Sequence, residues 1–242
     1  MILDELFGEQ YNKFYQFLNS DNQYAKWLKN LNDVEVASIV KYSQALAKTI
    51  NVQLRRNKGK YWKMNFSIDL VINDSLLTAE NIIDIIDNAI NNYGGLTDNM
   101  MLYRAVDVGS FFKLGGIPKS FYDDLKNSKL SGNLDVVYAS MKALEGMKIS
   151  DYAYMSTSPG YNTSFASHAD EYPIVLEILA PKGTPGAYIN LLSYYYNKEN
   201  EFLLARNTVL KIDEVSYYWY NDDKGIRRKK IFVRCIIDNV KK

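Results

Sequence analysis

Glu199-Asn200-Glu201-Phe202-Leu203-Leu204 is a short apolar run led by two carboxylates, and the reading of the whole chain turns on it. The apolar triplet reads as the start of a buried strand. On an extended edge, residues two apart point to the same face. Glu199 and Glu201 are therefore expected side by side at the mouth of a site. Paired carboxylates suit cleavage of a glycosidic bond through an oxocarbenium-like state. Taken by itself an E-x-E is more often solvated surface, so the context has to carry the reading.

Working outward, short apolar runs at 102–106, 153–156, 174–179, 187–189, 201–204, 209–218 and 230–237 read as strands. Pro159-Gly160 and Pro181-Lys182-Gly183 punctuate them. Before Met101 the texture is helical. Leu3, Leu6, Phe7, Tyr11, Phe14, Phe17 and Leu18 recur at helical spacing, an aromatic stripe expected to pack on the domain body. A second helix is expected from a cap near Asp33, burying Val36, Ile39, Val40, Ala47, Ile50 and Leu54. It ends in the cations of Arg55-Arg56-Asn57-Lys58-Gly59, where the helix dipole favours positive charge. A third helix runs over 78–93 on Ile82, Ile83, Ile86, Ala89, Ile90 and Tyr93, and Gly94-Gly95 stops it. Helices first and strands later predict an α+β fold. No linker or repeat breaks the chain, so one domain is expected over 1–242, mainly helical over 1–98 and mainly β over 99–242.

Composition narrows the function. The chain has 242 residues, 47% of them apolar, enough for a full core. The 29 basic and 28 acidic residues nearly cancel, which argues against a nucleic-acid binder. The run Arg227-Arg228-Lys229-Lys230 reads as a solvated hairpin end. Cys235, the single cysteine, sits in an apolar run as a buried thiol. With His168 as the single histidine, a zinc site built on two or three histidines is excluded, and no metal is expected. No GxSxG, GxGxxG or GxxxxGK[ST] occurs. No apolar stretch is long enough for a membrane span, and Met1-Ile2-Leu3-Asp4-Glu5-Leu6 lacks the basic start of a leader. Either the protein is cytosolic or its leader is absent from this chain.

Three more features accompany the carboxylates. Ser156-Thr157-Ser158 ends a strand, where hydroxyls can orient a neighbouring carboxylate. Arg104 lies inside the apolar strand at 102–106 and needs an anionic partner, because an unpaired buried charge is costly. A pyrophosphate would serve, as would an internal carboxylate. Asn51 and Arg55 stand four apart on one helix face.

In combination and in this order, these features resemble the ADP-ribosyltransferase toxins, among them the clostridial actin-modifying binary toxins and the Rho-modifying exoenzymes. The resemblance runs from about Val34 to Asp213. Ile39, Tyr42-Ser43 and Ile50-Asn51-Val52-Gln53-Leu54-Arg55 look like that family's N-terminal helix. Leu102-Tyr103-Arg104 looks like its aromatic-arginine strand, and Met155-Ser156-Thr157-Ser158 like its Ser-Thr-Ser strand. The stretch from Val175 to Ile189 looks like the strand pair before the catalytic loop, and Glu199 to Leu204 like the E-x-E strand.

The resemblance implies N-terminal helices packed on a two-sheet β-sandwich and NAD⁺ as co-substrate. It implies that Arg104 holds the NAD⁺ phosphates, that Asn51 and Arg55 contact the phosphates or the adenosine side, that Thr157 and Ser158 also bind the cofactor, and that Ser156 positions Glu201. Glu201 would stabilise the oxocarbenium ion as nicotinamide leaves, and Glu199 would orient and deprotonate the acceptor. Rho-modifying relatives carry glutamine at that position and modify asparagine, whereas arginine-modifying relatives carry glutamate. The acceptor implied is thus an arginine of a host protein, with actin first and a small GTPase second; an NAD⁺ glycohydrolase is the alternative enzyme. Tyr194, Tyr195 and Tyr196 would meet the protein substrate, and Phe165 would stack on nicotinamide. The implied protein is secreted by a bacterium, acts in the target-cell cytosol and is monomeric. A separate translocation component or an immunity protein would be its partner.

The sequence departs from the pattern in two ways. It has room for one copy of the fold, whereas binary-toxin enzyme components carry a second, inactive copy. The stretch 159–171 also lacks the second phosphate-binding arginine of the actin-modifying toxins and offers only His168. Either His168 stands in for that arginine or NAD⁺ is held less tightly on that side. The first alternative predicts that His168→Ala raises the KM for NAD⁺; an unchanged KM disposes of it.

Overall fold

The computed structural model describes residues 23–61, 70–72, 75–127, 132–160, 172–193, 200–221 and 224–238. The helix expected at 3–18 lies outside them. Its helical layer begins with α1 (Gln23–Asn30) and α2 (Asp33–Lys41). A π-helical turn over Tyr42–Leu46 follows, then α3 (Ala47–Arg56). A short hairpin, β1 (Leu70–Ile72) and β2 (Ser75–Leu77), leads into α4 (Ala79–Tyr93).

The caps explain these limits. Asn32, rather than Asp33, caps α2: its side chain accepts the Glu35 N–H while Glu35 reaches back to the Asn32 N–H. Thr78 and Asn81 do the same for α4, and Gly94 at φ 83° closes it in the left-handed region. Sequence periodicity predicts one continuous helix from 33 to 56. The structure instead widens it by one residue per turn over Tyr42–Leu46, where the Ala47 N–H reaches back to the Tyr42 carbonyl. Such π turns gather at functional sites.

After α4 come β3 (Met100–Val106), α5 (Val108–Phe111), α6 (Lys119–Asn127) and α7 (Leu134–Lys142). Then follow β4 (Lys148–Asp151), β5 (Met155–Thr157), β6 (Ile174–Ala180) and β7 (Gly186–Tyr188). β8 (Phe202–Leu204), β9 (Thr208–Asn221) and β10 (Arg227–Ile237) end the chain. The three helices between β3 and β4 are not anticipated by the sequence reading, which makes 99–242 mainly β. They are four and nine residues long, too short to show a clear 3.6-residue period.

Five strands form one sheet in the order β3-β6-β10-β9-β4, with β6 and β10 parallel and the other neighbours antiparallel. Three form an antiparallel sheet, β5-β8-β7. The two sheets meet where Tyr103 and Ser158 exchange backbone hydrogen bonds of 2.8 and 2.9 Å. One core fills the space between them and under α5–α7, with Leu102, Leu176, Val233, Phe111 and Met141 against Phe202 and Leu204. A second core lies on the opposite side of the small sheet, where Leu203 and Ala187 meet Ile39, Ile50, Ile83 and Ile86 of the helical layer. Strand alternation divides β8 between the two cores.

The basic run is solvated only in its first half, where Arg227 and Arg228 are exposed. Lys229 and Lys230 are buried within β10. The Lys229 ammonium meets the Asp135 carboxylate and lies 4.0 Å from the Tyr217 ring centroid, so aromatic faces share its charge.

A polar staple joins the helical layer to the end of β8. The Arg206 Nε donates to Asp87 at 2.6 Å and its Nη1 to the Gly59 carbonyl at 2.8 Å, while the Tyr154 hydroxyl donates to the same Asp87 at 2.6 Å. Removing Asp87 strands a guanidinium and a buried phenol. Asp87→Ala is expected to destabilise the fold by roughly 1–3 kcal/mol; a urea midpoint equal to wild type would refute the staple.

Candidate active site

Glu201 immediately precedes β8 and is 3% exposed. Alternation puts it on the Leu203 side of the strand, toward the helical layer. Its backbone is fixed at both ends: the N–H donates to the Asn190 Oδ1 at 3.2 Å, and the carbonyl accepts the Ile189 N–H at 3.1 Å. Burial raises the carboxyl above its ordinary range, and hydrogen bonds from the Ser156 and Ser193 side chains and the charge of Arg104 partly offset this.

Ser156 is opposite Leu203 in the β5–β8 register, hence on the same face as Glu201. Thr157 and Ser158 stand differently. Both are fully buried. The Thr157 hydroxyl donates to the Phe202 carbonyl at 2.7 Å, and the Ser158 Oγ accepts the Gly160 N–H at 3.2 Å. The Thr157 bond thus ties β5 to β8, while the Ser158 bond closes a local turn, so both hydroxyls are engaged within the protein.

Arg104 is half-buried on β3, and its Nη1 donates to the Ser156 carbonyl at 2.7 Å. Burial lowers its pKa, and nearby Arg55 lowers it further, while Asp151, Tyr42 and Glu201 act in the opposite sense. Guanidinium remains charged throughout. Arg55 is already paired with an internal carboxylate. Asp151 grips it with two bonds, Nε to Oδ1 at 2.8 Å and Nη2 to Oδ2 at 2.7 Å. Burial opposes the Arg55 charge, and the Asp151 pair outweighs it, so the pKa rises. Asn51 is nearly buried, with Nδ2 2.9 Å from the Tyr42 hydroxyl, which donates to its Oδ1 at 3.2 Å. Burial pushes the Tyr42 phenol well above its ordinary range.

The structure thus brings together Glu201, Ser156, Arg104, Arg55 and Asn51, separated by up to 150 residues in sequence. Two guanidinium groups close enough to oppose each other's charge suit a dianionic pyrophosphate, which would relieve that repulsion. Among the described residues no group of three or more His, Cys, Asp or Glu is placed to hold a metal, and no helix is long and apolar enough to cross a membrane. Glu199, Phe165, His168, Tyr194, Tyr195 and Tyr196 lie outside the described residues.

Asn200, just before Glu201, has φ 46°, in the left-handed region. Sequence reasoning missed Asp151, Asn190 and Ser193. The last two carry a faint signal, as polar residues flanking the apolar pair Leu191-Leu192, and all three are buried.

Comparison with known proteins follows this geometry. The model of the ADP-ribosyltransferase exoenzyme family matches residues 19–235. Comparison with curated proteins returns no match. Among solved structures the chain is similar to Plx2a, an ADP-ribosyltransferase toxin from Paenibacillus larvae, at 23% identity and TM-score 0.63, covering 94% of this chain and 96% of that one. It is similar to C3stau2 from S. aureus, solved with NAD, at 19% identity and TM-score 0.60, covering 98% and 95%. It is also similar to BECa, an ADP-ribosylating toxin of a C. perfringens binary enterotoxin solved with NADH, at 20% identity and TM-score 0.62; there it covers 94% of this chain and 48% of that one.

The raised carboxyl of Glu201 has a thermodynamic consequence. A carboxyl whose folded pKa lies above its unfolded value adds stability below the ordinary carboxylate range, and that stability is lost as pH rises through the folded value. Ionised Glu201 therefore strains the fold at neutral pH. Glu201→Gln is expected to melt at or above the wild-type temperature at pH 7.5, with the gap closing toward pH 4. A variant that melts lower at pH 7.5 would count against this electrostatic picture.

Proposed function

The chain belongs to the ADP-ribosyltransferase exoenzyme family, and on that footing we propose that it is a mono-ADP-ribosyltransferase toxin that moves ADP-ribose from NAD⁺ to an arginine side chain of a host protein. The observation that carries this reading is Glu201, a buried carboxylate held by two serine hydroxyls beside the Arg104 cation. Arg104 and Arg55, with Asn51, are the groups that would take the pyrophosphate and adenosine side. Relatives solved with NAD and NADH support the choice of co-substrate.

In the reaction the bond between ribose C1′ and the nicotinamide nitrogen breaks, and its electron pair leaves with nicotinamide. Positive charge develops on the ribose, and a fixed carboxylate at Glu201 stabilises it without reorganising. An arginine nitrogen of the acceptor then bonds to C1′ and gives up one proton. A guanidinium has a pKa above ~12 and is a poor nucleophile until that proton is taken. Glu199 is the base assigned to this step. Its identity as glutamate is why arginine is preferred over the asparagine acceptor that goes with glutamine in the Rho-modifying relatives.

Actin is the first acceptor to test and a small GTPase the second. The chain covers 95% of C3stau2 and 48% of BECa, which corresponds to one copy of the fold, and it is proposed to act as a monomer. Secretion from a bacterium and action in the target-cell cytosol complete the proposal, with Phe165 stacking on nicotinamide, His168 standing in for the missing phosphate-binding arginine, and Tyr194, Tyr195 and Tyr196 toward the protein substrate.

Biotin-labelled NAD⁺ incubated with the protein and a eukaryotic lysate tests it. Labelled bands are expected, cleavable by hydroxylamine and lost in Glu199→Gln and Glu201→Gln. The Glu201 change should slow nicotinamide release by about 10²–10³-fold. Nicotinamide release with no labelled band would favour the glycohydrolase instead.

A further inference from the structure

Ser193 closes the turn that precedes residues 194–199. Its N–H donates to the carbonyls of Ile189 at 2.9 Å and Asn190 at 3.3 Å. The residue is 2% exposed and follows the apolar pair Leu191 and Leu192. Its hydroxyl bonds the Glu201 side chain and stands 3.0 Å from the Ser43 hydroxyl on the π-helical turn. A small apolar residue would pack in this place equally well. What calls for a hydroxyl is the carboxylate on one side and Ser43 on the other.

We infer that Ser193 is a second positioning residue for the Glu201 carboxylate, itself fixed by Ser43, so that the carboxylate is gripped from two sides. Ser156 holds it from β5 and Ser193 from the stem of the loop. The inference rests on the role of Glu201 proposed above. The terminal torsion of a glutamate is broad and roughly two-fold. One hydroxyl leaves the carboxylate free to swing about that bond, and two donors from separate elements fix its plane. The π turn has a part in this, because it carries both Tyr42, which walls the site, and Ser43, which orients Ser193. Among the described residues, the titratable and charged groups facing the carboxylate are Arg104 from β3 and Tyr42 from the π turn, with Arg55 and Asp151 beyond them.

Steady-state nicotinamide release measured from pH 4 to 9 on the whole chain tests the inference. Ser193→Ala is expected to lower kcat roughly tenfold, as for one hydrogen bond to a charged group, with the KM for NAD⁺ unchanged. Its acid limb should move to higher pH, because the carboxylate has lost a donor that favours its charged form. Ser193→Thr keeps the hydroxyl and should keep the wild-type limb. Ser43→Ala should move the limb the same way by less, and it carries the test should Ser193→Ala melt below the assay temperature. An acid limb in Ser193→Ala, or in Ser43→Ala where that variant stands in, that superimposes on wild type overturns the inference. Glu201→Gln run alongside separates the two claims: wild-type turnover in that variant would sink the role of Glu201 itself, whatever Ser193 does.

Discussion

A carboxylate placed where water barely reaches it needs donors and a cation within reach, and at Glu201 these come from three separate stretches of chain, with a fourth beside them. Ser156 arrives on β5, Arg104 on β3, Ser193 from the turn after β7, and the Tyr42 wall from the π-helical turn. Each arrival depends on a structural feature described above. The Tyr103–Ser158 bridge brings the edge of the large sheet to the small one, which lets Arg104 reach the Ser156 carbonyl. The division of β8 between two cores fixes which side of that strand faces the helical layer. Preorganisation of this kind is what an oxocarbenium-like transition state rewards, since no dipole has to turn when charge develops.

The cations obey the same logic. Arg104 and Arg55 disfavour each other's charge, and Asp151 offsets one of them through a bidentate pair. Asp151 also accepts the Ala153 N–H at 3.0 Å, two residues further on. That bond bends the chain between β4, which belongs to the large sheet, and β5, which carries Ser156. A single buried carboxylate thus balances the charge of Arg55 and shapes the turn that delivers the Ser156 hydroxyl to Glu201. Its loss would act on both at once, which is a reason to treat it as part of the site although it touches no reacting atom.

How much of this was legible in the sequence depends on how local each interaction is. The strands were readable because apolar runs alternate with proline and glycine punctuation, and α4 because a five-isoleucine-and-alanine stripe lies between a capping box and Gly94. Ser156, Arg104 and Glu201 could be named from residue type and order. The helices α5–α7 were not readable, because a period of 3.6 needs more than nine residues to declare itself. The Arg55–Asp151 pair joins residues 96 apart, and no local pattern marks it. Lys229 and Lys230 were misread for a related reason: a charge run normally lies in solvent, and only the ring faces of Tyr217 and Trp219 and the carboxylate of Asp135 make burial of Lys229 tolerable.

The left-handed backbone of Asn200 sets how the chain enters β8 through Glu201, and the Tyr188 hydroxyl holds the Asn200 side chain in place. Asparagine tolerates this conformation better than most residues with a Cβ. Glu201 itself is governed by the sheet, the two serines and Arg104. A carboxylate fixed in this way depends on elements that the whole fold supplies rather than on any one stretch of chain, and that fold is shared with relatives at about one-fifth sequence identity.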